Sequence, residues 1–356
     1  MSGLLASPRA LREAFDCALL DLDGVVYRGP QAVPHAAAAV GEARALGMGT
    51  MFVTNNASRT PDAVADHLTD LGIPTGPEEV MTAAMAVAAL VADEADSTTR
   101  VLVVGGRGLR RALADEGLHI VESADEAPTV VVQGFDPALT WSDLAEAAYA
   151  IARGAEHVAS NMDQSLPTER GFAPGNGALV AAVVAATGRP ARSSGKPAPQ
   201  IFHQAAQSCH ARTPLVIGDR LDTDLAGARA AQYPGLWVNT GVDGPTEVVR
   251  ALPAQRPAFL GADLRCLADP HPAPQQHGEW WVCEAAAARV HRDALIVRRA
   301  SQEVDIDADT ELSLDELRAA AAAAWAAADA LGVDTVLGTD FPQIGLADPE
   351  REHLAR

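Results

Sequence analysis

Cys17-Ala18-Leu19-Leu20-Asp21-Leu22-Asp23-Gly24-Val25 decides the reading of this chain. The run from Cys17 to Leu22 is a short apolar segment that stops on acids and a glycine, as a buried strand stops at a loop. Outward from it, residues 35–46 have helical composition, rich in alanine and halted by Gly47. Thr50 to Val53 reads as a second buried strand running into Thr54-Asn55-Asn56. Pro61 to Leu71 reads as a helix with Thr60 as its N-cap and Gly72 as its stop. Strand, helix, strand, helix is the pattern of a parallel sheet with crossovers, so the expected fold class is α/β with a doubly wound parallel sheet.

The middle of the chain repeats this pattern with fewer charges. Val101 to Val104, Thr129 to Val132 and His157 to Ser160 are strand-like, and Ser142 to Arg153 is helix-like. Pro197 to Gln207 reads as a helix, Pro214 to Ile217 as a strand ending on Gly218-Asp219, and Leu225 to Ala231 as a helix before the strand Gly235 to Asn239. Beyond about residue 261 the texture changes. Pro270, Pro272 and Pro274 mark an irregular stretch. Trp280 to Ala287 and Ala294 to Arg299 are candidate strands, and Leu314 to Leu331 is a long alanine-rich helix. Of the formal net charge of −20, half lies in residues 262–356, which read as a small α+β module of their own.

With 356 residues, 48% apolar and 21% charged, the chain has a globular balance and more length than one small module needs. The acidic excess argues against a surface that neutralises nucleic-acid phosphates or an anionic leaflet. No segment approaches the roughly 20 apolar residues that span a bilayer, so no membrane insertion is expected. The first residues show no basic start followed by an apolar stretch, so no signal peptide is expected. Four cysteines are too sparse for a disulfide scaffold, which fits a cytoplasmic setting. One count is more pointed: there are 26 arginines and a single lysine, Lys196. A compact ammonium and a broad guanidinium are not interchangeable at a tight phosphate site, although codon bias with one survivor also explains the count.

Four segments sit where a parallel strand ends or a helix begins, the places where open α/β sheets bind ligands. They are Asp21-Leu22-Asp23-Gly24-Val25, Thr54-Asn55-Asn56, Gly195-Lys196-Pro197, and Gly218-Asp219-Arg220-Leu221-Asp222-Thr223-Asp224. The adjacent carboxylates Asp21 and Asp23 repel, and a bound cation keeps both useful at neutral pH.

In this order, the four segments resemble the motifs of the haloacid-dehalogenase-like hydrolase superfamily, over about residues 16–261. The long interval from Asn56 to Lys196 is similar to the NagD-like, para-nitrophenylphosphatase and phosphoglycolate, pyridoxal and glycerol-phosphate phosphatase subgroup, whose large cap is inserted there. Asn161-Met162-Asp163 through Pro174-Gly175-Asn176-Gly177 resembles the end of that cap. The resemblance implies a core of residues 1–78 and 187–261, an α/β cap of 79–186 that selects substrate, and a C-terminal module of 262–356. It implies Asp21 as nucleophile forming an aspartyl-phosphate, Asp23 as general acid and base, and Thr54, Asn55 and Lys196 as phosphoryl-binding groups. Magnesium would be held by Asp21, the main-chain carbonyl of Asp23 and Asp219, with Asp224 holding its water shell. An aspartate at position 23 favours a phosphatase over a dehalogenase or a transport ATPase. The layout resembles bacterial glycerol 3-phosphate phosphatases that carry a segment related to half an acetyltransferase fold. The implied partner is a small phosphorylated metabolite, and family caps that mediate dimers suggest a homodimer.

Other readings carry less. Val103-Val104-Gly105-Gly106-Arg107-Gly108 resembles a dinucleotide fingerprint, but Arg111 stands where the third glycine belongs, so a strand-to-helix turn in the cap is expected. Cys266, His271, His277 and Cys283 match no common zinc spacing. Trp280 and Trp281 read as core or interface anchors. Arg28, Arg59, Arg170 and Arg220 lie near the motifs or the cap end, with Arg220 the preferred candidate for a substrate contact. Phosphoglycolate, pyridoxal phosphate or a sugar phosphate are alternative substrates. A phosphometabolite-binding regulator is the rival class, and an acetyltransferase activity in the C-terminal module a second rival.

Overall fold

The computed structural model describes residues 3–168, 170–292, 294–299, 302–338 and 340–348, and they divide into two compact units. The first comprises residues 1–50 and 211–356, the second 51–210.

In the first unit, strands Phe259–Gly261, Gly235–Val238, Pro214–Gly218 and Cys17–Leu20 run parallel in that order. Cys17–Leu20 and Pro214–Gly218 are buried at every position, as strands covered on both faces must be. The C-terminal residues build a five-stranded antiparallel meander, Gln275–His277, Trp280–Cys283, Ala286–His291, Ala294–Arg299 and Gln302–Asp305. The helix Leu314–Leu331 starts at a capping box between Ser313 and Glu316 and stops at Gly332, whose φ is +67°. Its residues from Glu316 to Trp325 are buried without a break. One hydrophobic cluster holds Leu317, Ala321 and Trp325 of this helix, Ala288, Leu295 and Val297 of the meander, and Leu221, Trp237, Val248 and Leu260 of the parallel layer. The alanine content follows from this: a helix packed on more than one side needs small residues to let its neighbours approach.

The second unit is α/β as well. Strands Arg192–Ser193, Glu156–Ala159, Val130–Gln133, Val101–Val104 and Ile120–Val121 form an all-parallel sheet in that order. Helix Trp141–Ala152 and helix Asn176–Thr187 bury Ala147, Ile151 and Val183 against Leu102, Val104 and Val131. Here the strand Gly49–Thr54 enters the unit and pairs in parallel with Val80–Thr82. Helix Pro61–Asp70 is capped as expected, Thr60 Oγ1 accepting from the Ala63 amide, a cap that contributes about 1 kcal/mol. Gly105-Gly106 turns the chain from strand Val101–Val104 into helix Arg107–Asp115. Among the described residues, no helix is long and apolar enough to cross a membrane.

Candidate active site

In the first unit, two parallel strands deliver acids at their carboxyl ends. Asp21 is the first residue past Cys17–Leu20, and its amide donates to the Ile217 carbonyl at 2.9 Å. Asp219 is the first past Pro214–Gly218. The chain then winds a wide π-type turn, Leu221–Leu225, in which the Leu225 amide reaches back to the Arg220 carbonyl at 3.2 Å. That turn points Asp224 inward. One carboxylate oxygen from each of Asp21, Asp219 and Asp224 lies within 4.8 Å of the others. Asp219 is 0% and Asp224 1% exposed.

Two carboxylates at this separation repel by about 3–4 kcal/mol at an effective dielectric constant near 20. The protein nevertheless builds around them. Val242 donates its amide to Asp219 Oδ2 at 2.7 Å, and the Arg220 amide donates to Asp224 Oδ2 at 3.2 Å. Gly24 has a φ of +90°, and a Cβ there would lie 2.5 Å from Asp219 Oδ2, so only glycine fits. A set of three oxygen acids, tightly walled by backbone, suits a hard divalent cation such as magnesium. Asp23 lies outside this trio and is exposed. Of the arginines, Arg28 spends its Nε and Nη2 on the Thr240 carbonyl, and Arg220 forks onto Asp222 at 3.1 and 2.9 Å.

Asp243 was not legible as a site residue. Its Oδ2 accepts from the Leu221 amide at 2.6 Å, and its own amide donates to the Asp219 carbonyl at 3.3 Å. Burial pushes its carboxyl above the usual carboxylate range.

The second unit holds the other predicted residues. Thr54 closes its strand, 5% exposed, with Oγ1 accepting from the Asn56 amide at 3.1 Å. Lys196 is 3% exposed and donates from Nζ to the Val53 carbonyl at 3.1 Å. Asn55 clamps this lysine by its main chain: Oδ1 accepts from the Lys196 amide at 2.9 Å and Nδ2 donates to the Lys196 carbonyl at 3.2 Å. The same Nδ2 faces both oxygens of Asp163 at 3.1 Å. Asn161 donates to the Asn55 carbonyl at 2.7 Å, and Asn176 to the Asn161 carbonyl at 2.8 Å. A Cβ at Gly195 would lie 2.2 Å from the Ser160 carbonyl, so the main chain leading into Lys196 has no slack. Asn55 therefore serves the lysine with its side chain, a role the motif alone does not reveal. Arg59 and Arg170 are exposed.

Of the four residues weighed as zinc ligands, Cys266 and Cys283 are buried free thiols, and burial raises both pKa values, that of Cys283 to about 12. His271 bonds the Cys266 carbonyl at 3.0 Å, and His277 is exposed.

Comparison with known proteins identifies the family. Residues 18–119 match the haloacid dehalogenase-like hydrolase family, and residues 193–267 a HAD-hydrolase-like family. The D-glycerol 3-phosphate phosphatase of Mycobacterium tuberculosis is 46% identical over 259 residues, covering 73% of this chain and 72% of that protein. An acid sugar phosphatase of Staphylococcus haemolyticus is 35% identical over 248 residues, 69% of this chain and 92% of that one. The crystal structure of a glycerol phosphate phosphatase from Mycobacterium tuberculosis in complex with magnesium matches with a TM-score of 0.80, 39% identity and 98% coverage of both chains. The 4-nitrophenylphosphatase of Thermotoga maritima matches with a TM-score of 0.67 and 26% identity, over 72% of this chain and 98% of its own. On this likeness, the chain belongs to the haloacid dehalogenase-like hydrolase family.

Proposed function

We propose that this chain is a magnesium-dependent phosphatase of small phosphomonoesters, with glycerol 3-phosphate as its first substrate. The observation that carries the reading is the trio Asp21, Asp219 and Asp224, three acids gathered within 4.8 Å at strand ends and walled by backbone. The substrate choice draws on the mycobacterial sequence and structure matches, whose names specify glycerol phosphate.

In this reading Asp21, the Asp23 carbonyl and Asp219 would hold the ion, with Asp224 supporting it through water. When bound, the ion supplies positive charge that offsets repulsion between carboxylate and phosphate. The Asp21 carboxylate attacks phosphorus in line, the ester oxygen leaves, and an aspartyl-phosphate forms, which splits one hard displacement into two easier ones. Asp23, exposed two residues past Asp21, protonates the leaving alkoxide. It then takes a proton from the water that hydrolyses the acyl phosphate, which regenerates Asp21 and releases phosphate. Thr54 Oγ1 and Lys196 Nζ bind the phosphoryl oxygens, where fixed positive and dipolar groups lower the barrier most. Asn55 contributes by holding the lysine.

The same proposal divides the chain into a hydrolase core of residues 1–78 and 187–261, a cap of 79–186, and a C-terminal module of 262–356. It includes a homodimer, as the cap resemblance implies, in a cytoplasmic setting, which the sparse cysteines fit. Phosphate release is to be measured across glycerol 3-phosphate, phosphoglycolate, pyridoxal phosphate and sugar phosphates, with magnesium and with EDTA. Glycerol 3-phosphate should give the highest kcat/KM, EDTA should silence the enzyme, and magnesium should restore it. Activity indifferent to chelation would refute the metal assignment, and a regulator would release no phosphate from any ester.

A further inference from the structure

We propose that the C-terminal module braces the metal-site acid Asp219, with Thr246 and Trp325 as positioning residues. This inference rests on the magnesium reading above. The chain of contacts begins at Asp219 Oδ2, which is oriented by the Val242 amide at 2.7 Å. The Val242 side chain is 58% exposed, and Gly241 and Gly244 flank the Val242-Asp243 pair. Asp243 ties one side of this loop to the Leu221 amide at 2.6 Å. The other side runs straight into the short helix Pro245–Val249, and residues 262–356 grip that helix at two points.

Thr246, 0% exposed, donates from Oγ1 to the Pro342 carbonyl at 3.3 Å and accepts there from the Ile344 amide at 2.8 Å. Trp325 donates its indole N–H to the Val248 carbonyl at 3.0 Å. Val248 and Val249 are packed in one cluster with Trp325, Leu337 and Ile344. The Val242 amide therefore keeps its aim because the helix that follows it is bolted to the module. Without the bolts, the loop would have to be ordered again each time a cation binds, and the affinity would fall by the cost of that ordering.

The test uses the full chain and calorimetric titration with magnesium, backed by thermal unfolding. Thr246→Val and Trp325→Phe remove one gripping hydrogen bond each and should weaken magnesium binding about ten-fold. Thr246→Ser keeps the hydroxyl and should bind like the parent, as should Trp280→Phe, whose ring meets Arg289 and Arg298 on the meander instead. In the two weakened variants kcat should recover when magnesium is raised, because the reacting groups are unchanged. Parent-like magnesium affinity in Thr246→Val and Trp325→Phe overturns the brace. If Thr246→Val does not fold, Trp325→Phe decides alone. A parent protein that binds no magnesium refutes the metal assignment itself, a different failure.

Discussion

Replacing Lys196 by arginine keeps the charge and changes only the shape of the cation. The structure says why that change should be severe. Lys196 is 3% exposed, and its Nζ sits 3.1 Å from the Val53 carbonyl, so the larger head has no solvent to expand into. The main chain cannot retreat either. Asn55 holds the Lys196 amide at 2.9 Å and its carbonyl at 3.2 Å, and the preceding glycine already lies against the Ser160 carbonyl. Overpacking of this kind costs about 1–3 kcal/mol of stability. Displacing a cation aimed at transition-state charge costs about 10²–10³ in kcat. The expected result is a folded Lys196→Arg variant with a lower melting temperature and at least about a 100-fold loss in kcat, or about 2.7 kcal/mol of barrier. Steady-state phosphate release from glycerol 3-phosphate or para-nitrophenyl phosphate, with circular dichroism melting alongside, measures both. A variant with parental kcat would show that arginine serves equally well there, and the single lysine would revert to an accident of codon usage.

Asp21→Asn should abolish turnover while leaving the melting temperature near that of the parent, because a neutral amide cannot attack phosphorus; substantial residual turnover would move the nucleophile elsewhere. Gly241→Ala should lose magnesium binding, since the added Cβ would lie 1.8 Å from Asp219 Oδ2; an unchanged calorimetric titration would contradict this. His157 carries a pH prediction. It is 3% exposed, bonded through Nε2 to Gln133 Oε1 at 2.9 Å, and burial pushes its pKa down to about 4. The unfolded chain therefore takes up a proton below about pH 6.5 that the folded chain refuses, so this histidine's contribution to stability is intact above that pH. It is lost as pH falls toward 4, by at most about 1.4 kcal/mol per pH unit. Denaturant unfolding of the parent and His157→Leu between pH 7 and 4 should show a shallower acid slope in the variant; parallel slopes would refute the assignment.

Where the fold could be read in advance, local chemistry marked the ends of elements. Thr60 announces its helix because a hydroxyl there can bond a free amide, and Gly72 announces the stop because it adopts a positive φ cheaply, here +87°. Helix Ala83–Glu94 went unread because its run of alanine, valine and leucine has too little polar contrast to show a period, and helix Asn176–Thr187 is equally uniform. The segment read as one strand from Trp280 to Ala287 is two, joined by a tight turn between Cys283 and Ala286. Glu284 takes a φ of +50° in that turn. Turns of this kind normally carry glycine or asparagine, so a glutamate gives no warning.

The site divides along the same line. The trio Asp21, Asp219 and Asp224 could be picked out in the sequence because Asp21 and Asp219 directly follow strands and Asp224 lies in the turn after Asp219; Thr54 ends a strand likewise, and Lys196 stands out as the single lysine. What aims those side chains could not be. The Val242 amide on Asp219 could belong to any residue, since every residue except proline carries the same donor, and the identity of Val242 records nothing of it. Asn55 was visible, but a motif cannot distinguish an amide that touches substrate from one that clamps the neighbouring lysine by its main chain. Asp163, noted in the sequence only as part of the cap-end resemblance, faces the same amide. The contrast yields one more expectation. Asn55→Ala leaves Nζ of Lys196 chemically intact but frees its main chain, so the loss should fall on kcat more than on KM. A variant that raised KM alone would place the Asn55 amide on the substrate instead.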